Sequence, residues 1–589
     1  MPLDNPSPVE SLITDHIDIW TSAIKRKSSA GRGSSKKIEL YGIKKLRELI
    51  LELAVRGKLV PQDPNDEPAS VLLERIAEEK KLLIKDGKIK KPKKLPEITE
   101  DEKPFELPKG WEWSRIQEIG HDLGQKQPKG KFSYIDVGSI DKIYGVVESP
   151  TILESKDAPS RARKIVTEGT VIYSTIRPYL LNIAIISKKF SYEPIASTAF
   201  AIVHPLNGIV GNYVYRYLRS APFIRYVESV QTGVAYPAIN DKQFQMGIIP
   251  MPPTAEQHRI VAKVDELMAL CDELEAQTES SLDAHQTLVT VLLDTLVNSQ
   301  DADELANNWT RLSDHFDTLF TTEHSIDQLK QTVLQLAVMG KLVPQDPNDE
   351  PASVLLERIA TEKEKLVKQK KIKKQKPLPP IAEDEKPFQV PKGWEWVRFG
   401  ALFKSFTNGL YKPAKFYTDK GVMSLRMYNI QKGVIDFDGV KKVEVTDKEL
   451  EQFLLEPNDL LINRVNSKEL VGKTAIVPII KEELVYESMN MRAKPFINYL
   501  SARYLNLFMM TPIAQNIVSS FAKEAIGQAS INQGQVSSIQ TPLAPLEEQH
   551  RIVAKVDELM ALCDQLKTRL NDVQTTQLNL ADALTRQAL

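Results

Sequence analysis

The chain has 589 residues, 42% of them apolar and 26% charged, which is enough for several domains with ordinary cores. Its 77 basic and 78 acidic side chains leave a formal charge of −1, which excludes a globally basic nucleic-acid coat protein and leaves any such binding to local patches. The two cysteines are too few for a disulfide framework or a four-ligand zinc site, so the expectation is a reducing, cytoplasmic setting.

From the start, MPLDNPSPVESLITDHIDIW lacks a basic opening followed by an apolar run and does not read as a signal peptide. Nor does any later stretch reach the ~18 uninterrupted apolar residues that span a bilayer. Residues 1–37 end in KRKSSAGRGSSKK, whose Lys, Ser and Gly content cannot bury a core, and are expected to form a flexible basic arm. Ile43, Leu46, Ile50 and Leu53 then recur at helical spacing. That helix stops at Gly57, before the turn-rich PQDPNDEP, and helical periodicity resumes from Ala69 to about Ile84. A Lys- and Pro-rich linker, KDGKIKKPKKLPEITEDEKPF, reads as a solvated spacer whose lysines could also attract phosphates.

The same elements then return. GKLVPQDPNDEPASVLLERIA, residues 57–77, is repeated letter for letter at 340–360, an identity that chance does not produce. At the same offset of 283, EDEKPF and GWEW recur, and Ile326, Leu329, Val333 and Leu336 match the first helix. EQHRIVAKVDELMALCD, 256–272, returns at 548–564 with an offset of 292, so the second copy has gained nine residues. Between GWEW and EQHRIV the copies share almost no residues. Near-identical frames thus hold two divergent inserts, of which 105–255 has 17 basic against 13 acidic side chains and 388–545 has 19 against 15.

Within the inserts, short alternating runs at 132–137, 184–187, 199–203, 475–480 and 494–497 lie between Gly, Asn, Asp and Pro turns, the pattern of strands. One helix is expected near 213–231 and its counterpart near 501–521. GTVIYSTIR, 169–177, aligns with NDLLINRVN, 458–466. Each insert closes on a proline turn, PMPP or PLAP, and a long helix follows. Its seam in the second copy runs Ile552, Val556, Leu559, Cys563, Leu566, Leu570, Val573, Gln577, Leu580, Leu584, alternating steps of four and three. The first copy starts with Ile260, Val264, Leu267, Cys271 and Leu274 and weakens toward Leu288 and Leu292. About 40 residues of helix span roughly 60 Å. The expected class is α+β: two similar strand-rich domains joined by long helices packed as an antiparallel coiled coil, with an internal pseudo-twofold repeat. Its divisions are the arm 1–37, frame 38–104, strand-rich domain 105–255, central helix 256–300, second frame 301–387, second strand-rich domain 388–547 and C-terminal helix 548–589.

Catalytic devices are missing. No GxxxxGK[ST] loop, GxGxxG turn, HExxH helix or Asn/Asp-Pro-Pro-aromatic pocket occurs, and Glu154-Ser155-Lys156 lacks a second acid. His258 and His550 repeat within the frame, which favours a structural or partner-contact role.

The duplicated GKLVPQDPNDEPAS segment, GWEW opening each insert, and a proline turn into EQHRIVAKVDELMALCD resemble the specificity subunits of type I restriction-modification systems. More narrowly, they resemble the branch in which conserved segments precede both recognition domains, over residues 38–589. The resemblance implies a non-catalytic DNA-reading subunit with two target-recognition domains, each reading half of a bipartite duplex target. It implies helices that set the unread spacer and dock two adenine methyltransferase subunits, with ATP-driven restriction subunits joining that core. It implies no cofactor in this chain, with S-adenosylmethionine, ATP and Mg on the partners. The rival reading is a helical scaffold whose two inserts bind protein partners.

Base edges are read by Arg, Lys, Asn and Gln, with Ser, Thr and Tyr serving bases or phosphates, and such residues are sought on loops at strand ends. In the first insert these are Ser174, Thr175, Arg177 and Tyr179 after the VIY strand, and Gln231, Thr232 and Tyr236 in a second loop. Lys126, Lys129 and Lys131 are expected on phosphates. In the second insert they are Asn463, Arg464, Asn466, Ser467 and Lys468, then Gln528, Ser530 and Asn532, and Arg426, Tyr428 and Asn429 after another strand.

Overall fold

A computed structural model describes residues 8–26, 38–525 and 527–589, which fall into two units. One unit comprises the chain up to Ser281 together with Val573–Leu589, and the other is Leu282–Asp572. Both mix helices and strands, the α+β class expected from the pattern.

Each unit is built on the same frame. Helix Tyr41–Val55 in the first and Glu323–Val338 in the second bury the leucines and isoleucines that the periodicity marked. Both end at a glycine with positive φ, Gly57 at +69° and Gly340 at +70°, where a Cβ would run into Pro108 or Pro391. The repeat therefore needs glycine for space as well as for conformation. A second helix follows, Ala69–Lys85 or Ala352–Lys368.

The insert leaves and rejoins this frame at one place. Strand Glu112–Arg115 pairs antiparallel with Ile248–Met251, and Glu395–Arg398 with Gln540–Leu543, so GWEW and the proline turn are neighbours in space. Beside them the indole of buried Trp111 donates to Glu256, and that of Trp394 to Glu548. Gln257 accepts from the Val210 amide and donates to the Pro252 carbonyl, as Gln549 does with Ser501 and Ala544.

The strand-rich parts share a topology despite their unrelated sequences. In the first unit a sheet runs Gly120–His121, Phe200–Pro205, Val171–Ser174, Ile183–Ile185, Val146–Val147, Ile140–Asp141. In the second the order Phe403–Asn408, Asn490–Pro495, Leu460–Asn463, Thr474–Ile476 repeats its first four strands. A second sheet in each contains a parallel pair, Lys131–Ile135 with Glu193–Ser197 and Val422–Leu425 with Leu484–Tyr486. The single helix expected in each insert is two, Gly211–Leu218 with Ala221–Val230 and Ala502–Met509 with Pro512–Phe521. Pro222 and Pro512 start the second helix of each pair, and a proline there cannot continue the helix before it.

The long helices are Thr254–Val297 and Leu546–Ala588. In the first unit Arg47 reaches Asp272 at 2.5 Å and Glu275 at 2.6 Å, while Tyr41 donates to Asp582 at 2.8 Å. In the second, Val289, Leu293 and Leu296 share one core with Ile552, Val556 and Cys563. Each unit thus gathers the start of one long helix and the end of the other, the antiparallel order. The seam departs from the sequence reading in the second half of each helix: Leu288 and Leu580 are exposed, whereas Val289, Leu293 and Ala581 are buried. A straight helix of 3.6 residues per turn drifts by ~20° per heptad from a 3.5-residue repeat, which hands the seam to the next position. Equivalent lysines cap these helices. Lys341 donates to the carbonyls of Val297 and Ser299 at 2.7 and 2.9 Å, and Lys58 to that of Leu589 at 2.5 Å.

Two spacer readings are corrected. The arm expected over 1–37 contains helices Pro8–Thr14 and Ile17–Ser22, with Trp20 fully buried and its backbone against Gly42; residues 27–37 lie outside the described residues. One large aromatic carries enough apolar area to anchor a polar segment. The Lys- and Pro-rich linkers, expected to be solvated spacers, are clamped. Buried Arg115 donates to the carbonyls of Pro96, Glu97 and Met246 and to the Glu102 carboxylate, and Arg398 does the same with Pro379, Pro380, Ser538 and Glu385. The arginines hold both carboxyls below their ordinary range, Glu385 to about 2.

Candidate nucleic-acid interface

In the first unit the loop after Val171–Ser174 meets the loop before helix Asp241–Met246. Ile176 bridges to Ala238, and the Arg177 amide donates to the Pro237 carbonyl at 2.8 Å. Arg177 has φ +50°, an uncommon value for a side chain of this size, and its guanidinium lies 4.8 Å from the centroid of the Tyr236 ring. Thr232 and Ala238 exchange two backbone bonds of 2.9 Å that close the second loop. At its tip stand Val234, fully exposed, and Tyr236, 69% exposed. Tyr179 is exposed and Gln231 half-buried, its Oε1 without a partner among the described residues. The structure therefore unites Arg177, Thr232 and Tyr236, with Tyr179 just beyond.

Ser174 and Thr175 are corrected. Both are buried, and their hydroxyls donate to the carbonyls of Ile176 at 3.0 Å and Ala199 at 2.9 Å, so they shape the loop from inside. Of the phosphate candidates, Lys126 is paired with Glu193, Lys131 lies 3.9 Å from Glu154, and Lys129 is exposed without an ionic partner among the described residues.

The second unit builds the equivalent place differently. Strand Val465–Asn466 pairs with Gln528–Ser530, Val465 opposite Ser530, and Lys523–Ala525 completes a small sheet. This joins the two loops picked from the sequence. Gln528, Ser530 and Lys468 are exposed, and Asn466 and Ser467 half-buried. Arg464 is half-buried, bonds the Ser488 carbonyl at 3.1 Å and leaves its Nε without a partner among the described residues. Arg426 reaches the residue before Ser488, 3.2 Å from Glu487, and lies 4.8 Å from the centre of the Tyr417 ring. Tyr428, part-exposed, donates to the Gly439 carbonyl at 3.3 Å.

Two asparagines are corrected, and a third also serves as a helix cap. Asn463 is fully buried, donating to Asn490 at 3.0 Å and accepting from Asn466 at 2.8 Å. Asn429 is fully buried too, and its amide pins the carbonyl of Asp436 at 2.8 Å. Asn532 caps helix Gln533–Ser537 by accepting from the Gln535 amide at 3.0 Å, as Asn240 caps Asp241–Met246. The two buried amides have no free face for a base, whereas Asn532 is exposed and caps only through its Oδ1.

The sequence reading missed Val234 and Tyr411, the latter 78% exposed in the turn after Phe403–Asn408. Tyr411 stands in NGLYKP, an aromatic in an Asn-Gly turn beside a lysine, which was the available signal. Among the described residues no helix is long and apolar enough to cross a membrane, and no cluster of three or more His, Cys, Asp or Glu could hold a metal ion.

The sequence model for the type I restriction modification DNA specificity domain matches residues 108–284 and 391–575. The chain is 45% identical to the type I restriction enzyme EcoAI specificity subunit of Escherichia coli over 594 residues, covering 99% of this chain and all of that one. It is 43% identical to the EcoEI specificity subunit, also of Escherichia coli, over 599 residues at the same coverage. A solved structure described as the basis of complex assembly and conformational transition of the type I R-M system superposes with a TM-score of 0.52. It covers 82% of this chain and 99% of its own at 22% identity, a likeness of fold.

Proposed function

Because the chain belongs to the type I restriction-modification DNA specificity family, we propose that its two units each read one half of a bipartite duplex target through the paired loops just described. The chain is a DNA sequence-specificity subunit, non-catalytic by itself and part of a larger complex. On this reading the frames dock two methyltransferase subunits, restriction subunits join through that core, and the long helices set the unread spacer. S-adenosylmethionine, ATP and Mg belong to the partners, and the assembly works in the cytoplasm.

The observation that carries the reading is the recurrence of one site by different chemistry. The loop after the third strand of the sheet meets the loop before the short capped helix in both units, through Arg177 and Pro237 in one and Val465 and Ser530 in the other. Side chains that differ on a backbone that does not are what two half-sites of different sequence require. The test is genome-wide mapping of N6-methyladenine in cells with this chain and its neighbouring subunits, against cells lacking only this chain. Loss of methylation at one split motif is expected. Unchanged methylation with an active methyltransferase subunit would overturn the proposal.

A further inference from the structure

Each clamped linker forms one wall of a cleft. In the first unit the wall carries Lys88, Lys90, Lys91, Lys93 and Lys94, facing Gln117, His121 and Gln125, in a volume of about 940 Å³. In the second it carries Lys371, Lys373, Lys374 and Lys376, facing Lys404 and Thr407, in about 1000 Å³. The linkers differ in sequence, yet Lys90, Lys91 and Lys93 keep their places as Lys373, Lys374 and Lys376. All six are exposed, and among the described residues none has an acidic partner.

These are not free tails. Besides the arginine clamp, Gln117 donates to the Lys93 carbonyl at 3.0 Å, and Gln375 donates to the carbonyls of Phe403 and Lys404 at 3.3 and 3.4 Å. The acids on the facing wall already have cations of their own: Asp122 shares Lys164 at 2.8 Å with Asp241, and Glu456 pairs with Lys494 at 2.5 Å. A row of ammonium groups without acidic partners on a fixed backbone is spared the backbone part of the ordering entropy that a flexible tail loses on binding. Three residues of extended chain cover roughly 10 Å, about three phosphate steps of one DNA strand.

Each cleft also continues into the reading loops. Lys164 bridges Asp122 on the cleft wall to Asp241, the first residue of the helix that follows the Gln231 to Tyr236 loop. In the second unit Gln533, the first residue of the matching helix, donates to Asn408 at 3.0 Å.

We propose that each cleft is a sequence-independent track for the phosphate backbone of duplex DNA flanking the half-site its unit reads. The proposal rests on the reading of the units as DNA-binding. It gives the chain affinity without specificity in a segment separate from the loops that give specificity.

The test uses the full chain assembled with its methyltransferase subunits and, as probe, a mixed-sequence duplex without a split target, with dissociation constants measured across a KCl series. Lys90→Gln, Lys91→Gln and Lys93→Gln together are expected to lower the slope of log affinity against log salt by roughly 2 to 3, at about 0.9 per phosphate contact. Lys373→Gln, Lys374→Gln and Lys376→Gln together do the same, and lysine-to-arginine versions retain the parent slope. The methylated sequence keeps its letters in all of them. An unchanged slope in an assembly that still binds its split target would overturn the track alone. Lost subunit assembly, with a slope for the chain alone equal to that of the parent chain alone, would overturn it in favour of an acidic protein partner. If the parent assembly shows no salt-dependent binding to any duplex, the reading of the units falls, and the track with it.

Discussion

Trp111 donates its indole N–H to the Glu256 carboxylate at 2.9 Å, tying the start of the first insert to the start of the long helix that leaves it. Glu256 is almost wholly buried, and burial lifts its carboxyl above the ordinary range despite the hydrogen bonds from Trp111 and Gln62. An acid whose pKa is raised by folding contributes stability at low pH that is lost as pH rises through the folded value. Glu256→Gln, which keeps an acceptor and removes the charge, is therefore expected to match or exceed the parent in stability at pH 7, with the advantage shrinking toward pH 4. Glu256→Ala orphans the indole and is expected to cost about 1–3 kcal/mol. Urea melts at both pH values check this, and a Gln variant as unstable as the Ala one would refute it.

Arg177→Ala is expected to weaken binding of the target by about 1–3 kcal/mol and relax selectivity at one position of one half-site, with little change in melting temperature. Its guanidinium is exposed and held in place by Tyr236, so Tyr236→Ala should produce a milder version of the same change. Binding to a panel of single-base variants of the mapped target measures it; equal weakening on every variant would assign Arg177 to phosphate instead.

Asn463 and Arg464 are neighbours with opposite expectations. Asn463→Ala breaks a buried amide network and should cost roughly 1–3 kcal/mol of stability in the second unit. Arg464→Ala should leave stability nearly unchanged and weaken DNA binding. Thermal melts and binding isotherms of the two variants separate the roles, and the idea fails if both variants lose stability alike.

Acid should weaken the first unit through His121. Its ring is held to about 4 by burial, then by the charges of His204, whose ring centre lies 5.1 Å away, and of Lys80. The unfolded chain takes up the proton near pH 6.5 and the folded one resists to about 4, so stability falls as pH drops through that window. His121→Phe should flatten the dependence between pH 6.5 and 4.5. An identical pH profile in parent and variant would rule the histidine out.

The shifted seam can be tested by two leucines eight residues apart on the first long helix. Leu296→Ala, at a fully buried position, is expected to cost about 2–5 kcal/mol, whereas Leu288→Ala, at an exposed one, should cost close to nothing. Similar losses from both would restore the heptad read from the sequence.

The frame was legible because it is written twice: identity at a fixed offset located Gly57, Trp111 and Glu256 together with their counterparts, and helical periodicity located what they bury. The long helices were legible as helices but not in register, since a pattern of fours and threes cannot say when a straight helix abandons it. At the reading loops residue type was the only guide, and it served Arg177 and Tyr236 but not Asn463, Asn429 or Ser174. An asparagine at a strand end can face a base or lock a turn, and only the partners around it decide. Nor does a Lys- and Pro-rich linker announce that an arginine 19 residues on will hold its carbonyls, because that bond depends on the insert returning to the frame.

The first unit cannot be completed in the order in which it is synthesised. Tyr41 and Lys58 take their partners from Asp582 and Leu589, across sequence separations of 541 and 531 residues, with the whole second unit made in between. At ~5–20 residues per second, the 290-odd intervening residues occupy a ribosome for roughly 15 to 60 s. Throughout that interval the apolar edge meant for Ala581 stands uncovered, and the nascent chain is at its most exposed to chaperones, proteases and other copies of itself.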